Sequence, residues 1–114
     1  MLSMPQTGSQ VASPKITDPD AMLTQARAAS DLMKSLSNET RLLILCLLSS
    51  GEMTVTKLEG KLNIPQASLS QQLARLRAEK LVSARRDGRS IHYSIADARV
   101  AAVVGTLYEL YCII

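Results

Sequence analysis

A chain of 114 residues fits one domain and leaves no room for a second. Its residues are 46% hydrophobic, but with no Trp, no Phe and three Tyr the core has to be built from Leu, Ile, Val, Ala and Met. The net charge of +3 is only mildly basic and excludes neither a bland soluble protein nor a nucleic-acid binder, so the placement of charge carries more than its sum.

In chain order, residues 1–17 (MLSMPQTGSQVASPKIT) are polar, aperiodic and interrupted by Pro5, Gly8 and Pro14. They read as a disordered tail ahead of an ordered domain over 18–114. This start has no basic segment followed by an apolar stretch, as a secretory signal would, so the expected location is the cytoplasm, where a permanent disulfide is unusual. Asp18, Pro19 and Asp20 suit an N-cap, a first helical position and a first turn. The helix they open reaches about Leu36, with Met22, Ala26, Ala29, Met33 and Leu36 at helical spacing.

Ser37 is the predicted cap of a second helix over 38–49, whose LLILCLL run is apolar enough to be largely buried. That run, Leu42 to Leu48, is the longest apolar stretch and far too short for a membrane span. Gly51 ends the helix. A third helix follows over Val55–Leu62 with Thr54 as its cap, then a tight turn at Asn63-Ile64, and Pro65 starts a fourth helix to about Lys80. The period then changes. Leu81–Arg86 and Ser90–Ile95 are strand-like, with Asp87-Gly88 as a hairpin turn between them. Asp97 opens a last helix carrying Val100, Val103, Val104, Leu107, Leu110 and Tyr111. The predicted fold is mainly α with a β-hairpin.

At about 100° per residue, Leu69, Leu73 and Leu76 make one core stripe on the fourth helix. The remaining surface carries Gln66, Ser68, Ser70, Gln71 and Arg75, with Gln72 at the flank, and has no acid before Glu79. This is the chemistry a helix needs in the DNA major groove: Gln bonds adenine, Ser serves several bases, Arg takes guanine or phosphate. An ordinary solvated helix face would look similar. The hairpin tips the balance, because Arg85, Arg86 and Arg89 surround one turn and would repel each other without an anionic partner. Six Arg and Lys80 fall between positions 75 and 99, against the acids Glu79, Asp87 and Asp97. A short helix, a tight turn, a reading helix and a basic hairpin together predict a winged helix-turn-helix, with the hairpin as a wing on phosphate or the minor groove. His92 and Tyr93 shape the wing strand, and His92 joins the candidate DNA-contacting set.

The segments SLSNETRLLIL, LNIPQASLSQQLARLRAEKLV and RRDGRSIHYSI resemble the ArsR/SmtB family of winged-helix repressors over nearly all of the ordered chain. The resemblance implies a homodimer paired through the first and last helices, a palindromic operator in double-stranded DNA, and release by a chemical signal. It implies no enzymatic activity and no cofactor, and no phosphate loop, paired carboxylates or catalytic triad is present in the sequence.

Relatives of this type that sense metals carry Cys-x-Cys on the third helix, or Asp, His and Glu on the last. Here the third-helix region, MTVTKLEGKL, has no Cys, the last helix has no His, and His92 is the sole histidine. No metal site is therefore expected, although a metal-responsive repressor with an atypical site, or a protein-interaction module on the same fold, remain alternatives. Cys46 and Cys112 each fit an inert buried residue when taken singly. As a pair in this family they resemble the dithiol type of repressor, which implies a switch closed by an oxidant or by reactive sulfur. Direct closure needs Cα atoms within about 7 Å.

Overall fold

The computed structural model describes residues 18–111. The expected tail at 1–17 and Cys112 lie outside the described residues. Among the described residues, five helices and three strands follow in order: α1 (Pro19–Leu36), α2 (Glu39–Leu48), β1 (Met53–Thr54), α3 (Val55–Leu62), α4 (Gln66–Ala78), β2 (Val82–Asp87), β3 (Ser90–Ile95) and α5 (Ala98–Tyr111). The chain divides into two compact units, Met1–Ser30 and Asp31–Ile114, with the boundary inside α1. In the first unit, Asp18 Oδ1 accepts the backbone N–H of Asp20 at 3.0 Å, which supplies the expected start of α1.

The second unit is built on aliphatic packing. Leu36 of α1, Ile44, Leu45 and Leu48 of α2, Leu58 of α3, Leu69, Leu73 and Leu76 of α4, and Val100 and Val104 of α5 are buried together with Met53, Leu81 and Val82. The residues from α2, α4 and α5 recur at spacing three and four, as on amphipathic helices, whereas α1 and α3 contribute one buried hydrophobic residue each. The α2 run is less buried than its composition predicts. Leu43 is 53% exposed and Cys46 is half-buried, because a helix packed on one side in this unit leaves its opposite face to solvent.

The cap of α2 is Asn38, not Ser37. Asn38 Oδ1 accepts the Arg41 backbone N–H at 3.0 Å, whereas the Ser37 hydroxyl turns back to the Lys34 carbonyl at 2.7 Å and closes α1. Thr54 caps α3 as expected, accepting from the Lys57 N–H at 3.2 Å. Asn63 then takes a left-handed conformation (φ 55°), which Asn tolerates better than most residues, and turns the chain toward α4. Pro65 precedes α4 in an extended conformation and is not its first helical residue.

At the far end, the Leu81 N–H bonds to Leu76 O at 2.9 Å and the Lys80 N–H to Arg77 O at 2.9 Å. Lys80 sits at φ 63° between them. This is a Schellman closure with lysine where glycine is usual, held by burial of Leu76 and Leu81 on either side.

The sheet has the order β1-β3-β2, all antiparallel. Strand β1 was not expected from the sequence. It is two residues long, pairing Met53 with Tyr93 and Thr54 with His92, too short for an alternating pattern to register. The hairpin register is set one residue later than expected. Asp87 pairs with Ser90, so Gly88 and Arg89 form the two-residue turn. Gly88 has φ +64° at the first turn position, where a type II′ hairpin places glycine.

Candidate nucleic-acid interface

The α3–turn–α4 segment presents its outer face on a rigid inner one. Leu58 is fully buried under α3, and Leu69, Leu73 and Leu76 anchor α4, so the direction of each remaining α4 side chain follows from its angle to that stripe. Gln66, Ser68, Ser70, Gln71 and Arg75 are all exposed. Among the described residues, the side chains of Gln66, Ser68, Ser70 and Gln71 make no hydrogen bond to the rest of the chain, which leaves their donors and acceptors open. Arg75 is exposed but paired, its Nε 3.2 Å from Glu79 Oε2 one turn on.

Gln72 differs from its neighbours. It is half-buried, and its Oε1 accepts from Arg41 Nη1 at 3.0 Å. Arg41 is 6% exposed and also donates from Nε to the Ser35 carbonyl at 2.9 Å. That carbonyl belongs to the last turn of α1, where helix carbonyls lack internal partners and carry the negative end of the dipole. Ser35 in turn donates its hydroxyl to Glu79. This bond, followed by the Arg75 contact, holds the Glu79 carboxyl below its ordinary range. The end of α1, the first turn of α2, Gln72 on α4 and Glu79 just past its end are thus tied by one polar network that sequence reading missed. Its signal was Arg41 itself, which stands at the head of the buried series Arg41, Ile44, Leu45 and Leu48.

The wing has two faces, because opposite residues of an antiparallel pair point the same way. Val82, Ala84, Tyr93 and Ile95 lie on the face that packs on the core, and Arg86 and Ile91 extend that face beyond it. Arg85 and His92 lie on the other face, as a cross-strand pair. There Glu52 receives Arg85 Nη2 at 2.7 Å and Nε at 2.9 Å, and its Oε1 is 3.6 Å from His92 Nδ1. The Arg85 hydrogen bonds hold the Glu52 carboxyl below its ordinary range and raise Arg85 in return. One of the three wing arginines therefore has an internal anionic partner, supplied by the loop before β1. Arg86 and Arg89 are exposed and make no ion pair among the described residues.

Arg99 is spent on Asp97 at 2.9 Å, a local contact that also fixes the start of α5. Among the described residues, no group of three or more His, Cys, Asp and Glu side chains is placed to hold a metal ion, and no helix is long and apolar enough to cross a membrane.

Residues 38–84 match the family model described as "Bacterial regulatory protein, arsR family". The biofilm growth-associated repressor of Agrobacterium fabrum is 39% identical over 92 residues, covering 81% of this chain and 79% of that protein. The transcriptional activator HlyU of Vibrio cholerae is 40% identical over 81 residues, covering 71% and 75%. A solved structure of reduced HlyU superposes with a TM-score of 0.79 at 36% identity, covering 82% of this chain and 98% of that one. The transcriptional repressor BigR of Xylella fastidiosa superposes with a TM-score of 0.77 at 36% identity, covering 86% and 100%. With a winged helix-turn-helix assembled as these relatives have it, the chain belongs to the ArsR family of bacterial transcription regulators.

Proposed function

We propose that this regulator is a repressor that binds a palindromic operator in double-stranded DNA as a homodimer. The observation that carries the reading is the outer face of α4, where Gln66, Ser68, Ser70 and Gln71 stand exposed with no side-chain partner among the described residues, beside a wing with two arginines that make no ion pair among them. In this reading the four polar side chains meet base edges in the major groove. Arg75, Arg86 and Arg89 meet phosphate, and Gln72 works at the groove wall. Arg85 and His92, bound to Glu52 on the opposite wing face, support the wing.

The inducer in this proposal acts on Cys46 and Cys112. Two thiols surrender two protons and two electrons to an oxidant, or to the S–S bond of a persulfide, and an S–S link forms. Three things support the switch: the family likeness, the half-buried rather than sealed position of Cys46, and a relative, HlyU, whose structure is known specifically as the reduced form. A link from α2 to the chain just after α5 would shift the last helix, on which dimer geometry depends in this reading. Half-sites about 34 Å apart tolerate little rotation.

The test is duplex binding measured with the reduced protein and again after persulfide or peroxide treatment. Salt-dependent binding that is lost on treatment, and retained in Cys46→Ser and Cys112→Ser variants, is the expected result. Release that persists in both variants removes the switch but leaves the DNA reading. No affinity for any duplex removes the DNA reading in favour of a protein-interaction module.

A further inference from the structure

Gln72 stands on the shoulder of α4, about 60° from the centre of the buried stripe at 100° per residue. Its amide is oriented without ambiguity, because arginine can only donate and Arg41 Nη1 lies 3.0 Å from Oε1. The oxygen is therefore turned inward to a guanidinium that is itself buried. Every buried side-chain nitrogen and oxygen among the described residues has a hydrogen-bond partner. Gln72 Nε2 has none, so this nitrogen reaches the surface. Gln72 thus offers solvent an NH₂ group backed by a cation, while its oxygen is turned inward with one of its two lone pairs taken by Arg41.

Adenine recognition by glutamine needs both ends of the amide, the oxygen for N6 and the nitrogen for N7. Here the acceptor half of that fork is turned toward the buried Arg41 and only the donor half faces outward. A helix lying in a groove presents the middle of its exposed face to base edges and its shoulders to the sugar-phosphate walls. From these two facts we infer that Arg41 sets Gln72 as a one-sided donor to a DNA phosphate. On this inference Gln72 positions α4 in the groove, Arg41 acts through it as a positioning residue, and sequence is read by Ser68, Ser70 and Gln71, and by Gln66 through its place at the N-terminal start of α4. The inference rests on the DNA-binding reading above and adds a division of labour within α4.

The experiment starts from the duplex that the wild-type protein selects from a randomised pool. Affinity of the wild type and of Gln72→Ala is then measured on that duplex and on a scrambled duplex of equal length. A loss of about ten- to a hundredfold on both duplexes is expected, the size of one charge-assisted hydrogen bond. Repeating the selection with the variant should return the same consensus. A methylphosphonate replacing the contacted phosphate should erase the difference between the two proteins. A loss confined to the selected duplex, a changed consensus, or no loss at all overturns the assignment. Gln72→Met, which keeps the packing and lacks the amide, replaces the alanine variant should thermal melting show the latter to be unfolded. A wild-type protein that selects no duplex overturns the DNA reading itself, a result distinct from each of these.

Discussion

Arginine placement separates roles that composition merges. Arg41, Arg75, Arg85 and Arg99 each have a partner within the chain, whereas Arg86 and Arg89 have none among the described residues. Each phosphate neutralised by a cation contributes about 0.9 to the slope of log affinity against log salt. Arg86→Gln and Arg89→Gln should therefore each flatten that slope by about 1 and weaken all duplexes alike. Arg85→Gln should leave the slope close to its wild-type value, because Glu52 already neutralises this side chain. Filter binding or anisotropy across a salt series checks the contrast, and an Arg85→Gln slope falling as far as that of Arg86→Gln would contradict it. The sequence showed three arginines at a hairpin. It had no means of showing that Glu52, more than thirty positions earlier, lies beside one of them.

At the scale of elements, α4 is held at its exit and along its side by different physics. Its exit is a Schellman closure around Lys80, and its side is tied through Ser35, Glu79, Arg41 and Gln72. The acid limb of stability reports the tie. Glu79 titrates below its ordinary value of 4.5 in the folded chain, first because Ser35 donates to it and then because of Arg75. A group lowered on folding contributes stability that is present above its unfolded pKa and is lost as pH falls through its folded one. Glu79→Gln should accordingly be less stable than wild type at pH 7, with the gap closing as pH falls below 4.5. Denaturant melts between pH 7 and pH 3 measure this, and a gap independent of pH would refute it. Most element boundaries were legible, since Thr54, Pro65, Asp97 and the period of the Leu stripe are local signals. The α2 cap was misplaced by one residue, as two adjacent polar residues, Ser37 and Asn38, compete for one role. Strand β1 was missed because its two residues pair only with a distant strand.

On the scale of the whole molecule, apolar surface is left uncovered on α5. Val103 is 37% and Leu110 70% exposed. Two turns apart, they share a stripe beside a shallow groove lined by Ala102, Val103, Thr106 and Leu107. In the proposed homodimer this stripe is covered by a second copy. A Val103→Glu, Leu110→Glu double variant should sediment as a monomer. It should also lose at least tenfold in affinity for a two-half-site duplex while binding a single half-site as before. A double variant that remains dimeric would contradict this use of α5.

By itself the sequence determined the order of elements, the aliphatic core stripe of α4, the polar outer face of that helix and the basic hairpin. Each of these is written in spacing of a few residues, and such spacing is physical information a single segment carries. The tertiary structure alone decided which polar side chains remain available. The wing pairing put Arg85 and His92 on one sheet face with Glu52, and Arg86 on the other. Packing of α2 against α4 brought the buried Arg41 to Gln72. The reason is that a hydrogen bond or ion pair forms between groups about 3 Å apart, and long-range proximity of that kind arises only when the core has folded.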